Sequence, residues 1–220
     1  MGHVTQNTPF NALNIALLTV SDTRELSSDE SGNLLQQRIE SAGHQLAERQ
    51  IVKDDIYQIR AVVSHWIASE QVHAIVITGG TGFGDRDNTP EALSPLFDKL
   101  VEGYGELFRQ LSFNSIGTSS MQSRALAGIA NKKVVFAMPG SPRACALAWD
   151  ELIQPQLDAR QRPCNFVAMV VSQTSSCQSR SSQEAIKKQS EPNNSQIIAK
   201  QQPDTRLSGT VAVKSARKLI

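Results

Sequence analysis

Four glycines, at positions 79, 80, 82 and 84, are followed directly by the charged sequence Asp85-Arg86-Asp87. Because glycine has no Cβ, backbone amides in such a loop can come close to a ligand. A helix that begins just beyond the loop adds unpaired amides and a partial positive charge, both of which attract anions. The segment therefore predicts an anion-binding site in which the Asp87 carboxylate acts on a phosphate or on its metal ion.

Two familiar glycine loops do not fit this spacing. A P-loop needs a lysine directly after its last glycine, whereas the first basic residue here is Arg86. A dinucleotide fingerprint needs GxGxxG leading straight into a helix, but Gly80, Gly82 and Gly84 form GxGxG followed by an acidic segment. A plain strand-to-helix turn remains the alternative, although one or two glycines would be enough for it. The excess of glycine favours a phosphate or another anion as ligand.

Asp87 and Asp54 are the candidate ligands for Mg²⁺, which proteins usually bind through one or two carboxylates together with substrate phosphates. Asp54 follows the second predicted strand and should reach the same sheet edge as the glycine loop. Helix capping explains Asp54 equally well, unless Asp55 is the cap. A solvated ion pair is the corresponding alternative for Asp87.

Strands and helices alternate along the chain, and this pattern predicts a single three-layer α/β domain with a mostly parallel sheet. Runs of apolar residues predict strands at 14–20, 44–52, 74–78, 134–138 and 166–171. Apolar residues at three- and four-residue steps, with caps and prolines, predict helices at about 33–42, 56–67, 89–100 and 143–152. Pro95 predicts a break in the third helix, and Pro155 predicts the end of the fourth.

Ligands of such sheets bind beyond the carboxyl ends of the strands. The loops at 21–32, 79–89 and 139–143 all meet that description. Thr89-Pro90 and Ser141-Pro142 each read as a helix cap followed by the first helical residue. Capping alone explains the second pair, and its position at the same sheet edge is what favours a ligand there.

Composition divides the chain at about residue 171. The net charge of +1 gives no indication of a nucleic-acid partner. Residues 172–220 carry eight Lys or Arg and three Asp or Glu, and they are rich in serine and glutamine without aromatic residues. Such a segment cannot bury enough apolar surface to offset its chain entropy. We therefore predict an N-terminal arm at 1–12, a ligand-binding domain at 13–170 and a disordered basic tail at 171–220.

Other common classes of protein are disfavoured. Three widely spaced cysteines and four histidines without ligand spacing argue against a disulfide framework or a zinc site. No apolar run approaches the length of a membrane span, and the N-terminus lacks the apolar core of a signal peptide. These features predict a cytoplasmic protein that does not bind membranes.

An ordered set of motifs carries a family resemblance: TVSDTR at 19–24, DESG at 29–32, VKDD at 52–55, ITGGTG at 77–82, RDNTPEA at 86–92, SRALAG at 123–128 and AMPGSPRA at 137–144. The chain resembles the family of molybdenum cofactor biosynthesis proteins related to gephyrin and the bacterial molybdopterin adenylyltransferases. The likeness extends over about residues 14–166, and LDARQRPCNF at 157–166 is similar to one branch in particular.

The resemblance implies a three-layer α/β/α domain with a mixed sheet, assembled as a homo-trimer or homo-hexamer. It implies that the protein binds molybdopterin, a pterin with a dithiolene and a phosphate. Active members of the family transfer adenylate from Mg·ATP to that phosphate and release pyrophosphate. Molybdopterin, ATP, Mg²⁺ and other enzymes of the pathway are thus the implied ligands and partners.

The same resemblance assigns roles to residues. Asp87 matches the family's catalytic aspartate, and Asp54 matches the acidic residue ahead of the second helix. Together with the loops described above, it gives these predicted substrate- and phosphate-binding residues: Ser21, Asp22, Asp29, Ser31, Gly32, Thr78, Gly79, Gly80, Thr81, Gly82, Arg86, Thr89, Pro90, Ser123, Arg124, Pro139, Gly140, Ser141 and Pro142.

Three hypotheses about function follow. The first is an adenylyltransferase, and the second is a carrier that binds molybdopterin without reacting with it. Carboxylates at positions 54 and 87 favour the first, because negative charge beside a phosphate gives a pure anion binder no advantage. The third is a scaffolding oligomer whose tail binds a partner.

Overall fold

The computed structural model describes residues 3–4 and 8–171 of the chain. The tail predicted from residue 172 onward lies outside these residues, as does much of the predicted N-terminal arm. The strands of the described part are β1 (His3–Val4), β2 (Asn14–Val20), β3 (Gln45–Val52), β4 (Ala74–Thr78), β5 (Lys99–Leu100), β6 (Leu126–Ala130), β7 (Lys133–Met138) and β8 (Gln161–Arg162). Its α-helices are α1 (Glu30–Ser41), α2 (Ile56–Ala68), α3 (Thr89–Leu93), α4 (Glu102–Ile116), α5 (Pro142–Leu147), α6 (Gln154–Gln156) and α7 (Val167–Val171).

The main sheet has the strand order β3-β2-β4-β7-β6-β5. Strands β3, β2, β4 and β7 are parallel, whereas β6 runs antiparallel to β7 and β5 antiparallel to β6. Strands β1 and β8 form a separate antiparallel pair. The predicted α/β fold with a mostly parallel mixed sheet is therefore confirmed.

Alternation along the central strands builds a hydrophobic core on each face of the sheet. Ile15 and Leu17 of β2 pack into a cluster with residues of α1, α4 and α5, while Ala16 and Leu18 pack into a second cluster with α2 and α3. Every residue of β4 is buried, as expected of a strand covered on both faces. These two cores give the three layers.

Two predicted helices that contain or precede a proline differ from the structure at their ends. In the helix predicted over 89–100, the break predicted at Pro95 is present: α3 ends at Leu93, a short 3-10 turn follows at Ser94–Leu96, and Lys99–Leu100 form β5 where helix is predicted. The helix predicted to end before Pro155 continues beyond it, through a π-helical segment at Ala148–Ile153 and directly into α6, which contains this proline.

Other expectations also need correction. Asn88, not Thr89, is the N-cap of α3, and Pro90 is therefore not its first residue. A strand is predicted at residues 166–171, but Val167–Val171 is helical and packs Val167 and Val170 into the first core. The sequence pattern gives no assignment for α4 or β6. In the part of the chain that the structure describes, no helix is both long and apolar enough to cross a bilayer.

Gly79 lies where three parallel strands end, and we predict that its replacement will destabilise the fold. Its φ is +101°, and a Cβ built there would lie 2.2 Å from the carbonyl oxygen of Val20. The Gly79→Ala variant should therefore lose about 2 kcal/mol or more of unfolding free energy, measured by chemical denaturation.

Gly103→Ala is the matched control. This glycine lies in α4, and apart from its chain neighbours and its own helix backbone no atom comes within 4 Å of the place that a Cβ would take. Alanine there should leave stability unchanged or raise it by up to about 1 kcal/mol. Equal stabilities for the Gly79→Ala protein and the unaltered protein would contradict the packing described here.

Candidate functional site

A cleft of about 270 Å³ opens beyond the carboxyl ends of β2, β4 and β7. The loops predicted to share one sheet edge do converge there. Its lining comprises Thr19, Val20, Ser21, Arg24, Asp29, Ser31, Thr78, Gly79, Gly80, Thr81, Gly82, Asp87, Pro139 and Gly140. Backbone and small polar groups dominate this wall, which suits an anionic ligand.

The glycine loop is shaped by two carboxylates that lie against it. A Cβ at Gly80 would come within 2.4 Å of Asp54 Oδ2, and one at Gly82 within 2.7 Å of Asp87 Oδ2. Gly80 also has a φ of +63°, in the left-handed region. Side chains at these two positions would displace the aspartates, so the loop and the two carboxylates form one packed unit.

Asp87 lines the cleft, and its Oδ2 accepts a hydrogen bond of 2.8 Å from the backbone N–H of Gly84. This bond turns the carboxylate back toward the loop that precedes it. The Asp87 backbone is held as well, because its carbonyl accepts a hydrogen bond of 2.6 Å from Arg124. Asp87 is thus the predicted catalytic residue whose carboxylate reaches the cleft directly.

Asp54 has a different environment. Its side chain is buried, with 5% of the residue's surface exposed, and Oδ1 accepts a hydrogen bond of 2.9 Å from the N–H of Asn88. Burial raises the pKa of Asp54, and the nearby charges of Asp87 and Asp22 raise it further, against the lowering effect of the Asn88 bond. The neighbouring Asp55 caps α2, accepting from Tyr57 and Gln58. Asp54 is therefore not the helix cap and instead holds the segment that carries Asp87.

Asp22 and Arg86 face one another outside the cleft lining. Arg86 donates from Nε to Asp22 Oδ2 at 2.9 Å and from Nη2 to Asp22 Oδ1 at 2.7 Å. The hydrogen bonds from Arg86 are the main reason that the pKa of Asp22 lies below its ordinary value. The pair joins the loop after β2 to the loop after β4.

Arg124 contacts the glycine loop at several points. Its Nε donates to the Gly82 carbonyl at 2.7 Å, its guanidinium pairs with Glu91, and it lies 5.1 Å from the centroid of the Phe83 ring. Its own N–H donates to the carbonyl of Thr81 at 3.1 Å. The predicted substrate-binding role of Arg124 is not apparent from these contacts, which instead fix the loop that a substrate would touch.

The start of α1 forms another wall. Asp29 is the N-cap, accepting from the Gly32 N–H at 2.8 Å, and it also accepts from Thr19 and from Arg49. Gly32 packs directly against the Asp29 carboxylate and is not part of the lining. The Ser31 hydroxyl donates to the Gly140 carbonyl at 2.7 Å, which ties α1 to the loop after β7.

The remaining predicted residues fall into two groups. Thr89 lies behind the cleft, where its hydroxyl donates to the Gly79 carbonyl at 2.8 Å, and Pro90 follows it in α3. Ser141 caps α5, as predicted, and Pro142 is its first residue. Ser141 and Ser123 line a neighbouring groove of about 620 Å³ between α4 and α5, which shares Pro139 with the cleft.

Arg24 is a cleft residue that lies in the loop at 21–32 predicted to reach the ligand edge, but it is not one of the individually predicted site residues. It lies on the loop after β2 and lines the cleft, and its Nη1 donates to the Ser28 carbonyl at 3.0 Å. The available signal was the arginine in TVSDTR, two positions beyond the predicted Asp22 and just past the end of a buried strand.

A resident metal site is not built into the described residues, since no group of three or more His, Cys, Asp or Glu side chains there could hold an ion. A metal that arrives with a nucleotide needs fewer protein ligands, because the phosphates supply the others. Asp87 fits that requirement. Asp54 fits it less well, because it is buried and bonded to Asn88.

Comparison with known proteins gives consistent matches. A family model described as a probable molybdopterin binding domain matches residues 16–159. Molybdenum cofactor biosynthesis protein B of Escherichia coli strain K12 is 56% identical over 160 residues, covering 73% of this chain and 94% of that protein. All residues that line the cleft lie within the matched range.

Comparison with solved structures gives the same family. A crystal structure of a molybdenum cofactor biosynthesis protein B gives a TM-score of 0.65 at 44% identity, covering 67% of this chain and 92% of that one. The tungsten cofactor synthesizing protein MoaB from Pyrococcus furiosus gives 0.57 at 34% identity, covering 64% and 89%. The branch that residues 157–166 resemble is that of the B proteins, the name carried by these relatives.

The raised pKa of Asp54 predicts a specific pH dependence of stability. When the pKa of a carboxyl group is higher in the folded than in the unfolded state, the free energy of unfolding falls as pH rises from the unfolded pKa through the folded pKa. In the Asp54→Asn variant the side chain cannot ionise, yet its amide oxygen could still accept from Asn88. The unfolding free energy of this variant, relative to the unaltered protein, should therefore increase as pH rises from the ordinary value of 3.8 to the raised pKa of Asp54, and should level off above it.

Asp55→Asn is the matched control, because asparagine caps a helix as well as aspartate does. It removes a charge one residue away and leaves Asp54 in place. Denaturation curves at a series of pH values measure the effect. A stability difference for Asp54→Asn that shrinks with rising pH, or that Asp55→Asn reproduces, would contradict the assignment.

Proposed function

The chain belongs to the family of probable molybdopterin-binding domains of molybdenum cofactor biosynthesis, and from this premise we propose that it binds molybdopterin and adenylylates its phosphate with Mg·ATP. The observation that carries the proposal is the position of Asp87. Asp87 lines a cleft whose other lining residues are mostly those of the glycine loop and small polar residues, together with Arg24 and Asp29.

The chemistry of the wall supports a phosphate ligand. Gly79, Gly80 and Gly82 line the cleft, and α1, which begins at Glu30, contributes Ser31 from its first turn. Amides and helix N-termini of this kind bind phosphate without requiring many charged side chains. The proposed location for the phosphate of molybdopterin is therefore between the glycine loop and the start of α1.

The proposed reaction is a nucleotidyl transfer. A phosphate oxygen of molybdopterin attacks the α-phosphorus of ATP, and the bond from that phosphorus to the oxygen bridging the β-phosphate breaks. Pyrophosphate leaves with the bonding electron pair, and the product contains a new phosphoanhydride. Because no proton transfer is needed between two ionised phosphates, the chain contributes chiefly by orienting the reactants and offsetting their charge.

Magnesium, when bound with the nucleotide, would neutralise part of the phosphate charge. Asp87 is its proposed protein ligand, because this carboxylate residue lines the cleft and has no ion-pair partner in the described residues. The part of Asp54 in this proposal is to fix the Asn88 backbone and, through it, the direction of Asp87. Arg124 supports the same segment by donating hydrogen bonds to the carbonyls of Gly82 and Asp87.

The predicted homo-oligomer stays a prediction. Large apolar side chains on α4 and the turn that follows it support the prediction, because Phe113, Ile116 and Met121 are 55%, 49% and 75% exposed. Exposed apolar residues grouped in this way are typical of surfaces that contact another protein chain.

The central prediction concerns Asp87→Asn. This variant should keep its fold, because the amide oxygen can still accept from Gly84, and it should release pyrophosphate about 10²–10³-fold more slowly than the unaltered protein. The measurement is pyrophosphate release from Mg·ATP in the presence of molybdopterin. Thermal unfolding of both proteins checks that the fold survives.

Asp85→Asn removes an exposed carboxylate from the same loop and serves as control. It should retain most of the activity. Equal pyrophosphate release by the Asp87→Asn variant and the unaltered protein would show that Asp87 is not catalytic. Tight molybdopterin binding without pyrophosphate from any form of the protein would instead support the carrier hypothesis.

A further inference from the structure

The arginines around the cleft differ in how their charge is compensated. Arg49 forms an ion pair of 2.9 Å with Asp29, and Arg86 forms a two-point pair with Asp22. Arg124 is paired with Glu91. A guanidinium matched in this way adds little net positive charge to its surroundings.

Arg24 has no such partner within residues 3–4 and 8–171, where no carboxylate lies within the 4.0 Å that would form an ion pair with it. Its one side-chain hydrogen bond in that part of the chain goes to the Ser28 carbonyl at 3.0 Å, which is a neutral acceptor. Of the residues that line the cleft, Arg24 is therefore the one that brings an uncompensated positive charge.

The loop that carries Arg24 is held in place by local hydrogen bonds. The Ser21 hydroxyl accepts from the N–H of Arg24 at 3.2 Å, immediately beyond the end of β2. The Ser28 hydroxyl accepts from the N–H of Glu25 at 3.0 Å, and the side chain of Arg24 spans the loop to reach the Ser28 carbonyl. The guanidinium is thus positioned before any ligand arrives, which lowers the entropy that binding would cost.

We infer that Arg24 is the cation that binds the phosphate group in the cleft, in place of the predicted Arg86, whose charge is already matched by Asp22. The inference rests on the proposed function in so far as it takes a phosphate as the ligand. A guanidinium can donate two parallel hydrogen bonds to a phosphate. Arg24 therefore also favours a phosphorylated pterin over the same pterin without its phosphate.

The test is the binding of inorganic phosphate and pyrophosphate to the full chain, measured by isothermal titration calorimetry. Arg24→Gln should weaken binding roughly tenfold or more, because a charge-assisted hydrogen bond is lost. Arg24→Lys keeps the positive charge but loses the pair of parallel donors that a guanidinium offers, and it should give an intermediate affinity. Arg86→Gln should weaken binding by less than about threefold, since its charge is already paired.

Salt dependence gives a second readout that a purely structural role would not change. Binding to the unaltered chain and to the Arg86→Gln variant should weaken as ionic strength rises, and the Arg24→Gln variant should show a shallower dependence. Circular dichroism of each variant confirms that the fold is intact.

The outcomes separate this inference from the proposed function. Phosphate binding that Arg24→Gln leaves unchanged, or that Arg86→Gln weakens more, would overturn the inference alone. No phosphate or pyrophosphate binding by the unaltered chain would contradict both. Arg24-dependent phosphate binding without any adenylylated product would support the inference and contradict only the proposed reaction.

Discussion

The packing of Asp54 and Asp87 against the glycine loop is the contact on which the rest of the site depends. Carboxylate oxygens occupy the space where side chains would stand at Gly80 and Gly82. The loop can follow this path only because residues 80 and 82 have no side chains. The carboxylates of Asp54 and Asp87 can lie this close to the loop for the same reason. The path of the glycine loop and the position of the two carboxylates beside it therefore have the same structural cause.

Charge pairing then decides which groups are available to a ligand. Around the cleft, Asp22 is matched with Arg86 and Asp29 with Arg49. Asp54 is buried, with a raised pKa, and is bonded to a backbone amide. Asp87 and Arg24 remain as charged side chains that line the cleft without an ion-pair partner in the described residues. In the proposed function, Arg24 attracts the phosphate, and Asp87 holds the metal ion that accompanies it.

Strands β2 and β4 could be predicted to the residue, because both are buried apolar runs bounded by polar loops. Gly43, with a φ of +86°, follows the C-cap Ala42 of α1, a position that glycine commonly takes. The stretch between residues 101 and 133 received no assignment. There the short strand β6 contains a glycine, and its turn into β7 uses Asn131 and Lys132 with positive φ, a pairing whose sequence signal is weak.

Local sequence pattern also predicts the outline of the candidate site. The sheet edge and the glycine loop follow from local pattern, which also indicates a helix cap at Asp54 or Asp55 but leaves the choice to the structure, where Asp55 is the cap. Whether an arginine touches a ligand or a carboxylate depends on contacts between distant segments, such as Arg86 with Asp22 and Arg124 with Glu91. Sequence spacing carries no information about those contacts, so Arg24 was not distinguished from the others.

Incubation of the protein with molybdopterin and Mg·ATP tests the central claim most directly. Mass spectrometry of the products should show an adenylylated pterin, formed in equal amount with pyrophosphate and only when both substrates are present. Molybdopterin recovered unchanged after binding, with no pyrophosphate released, would contradict the claim that this cleft carries out the transfer.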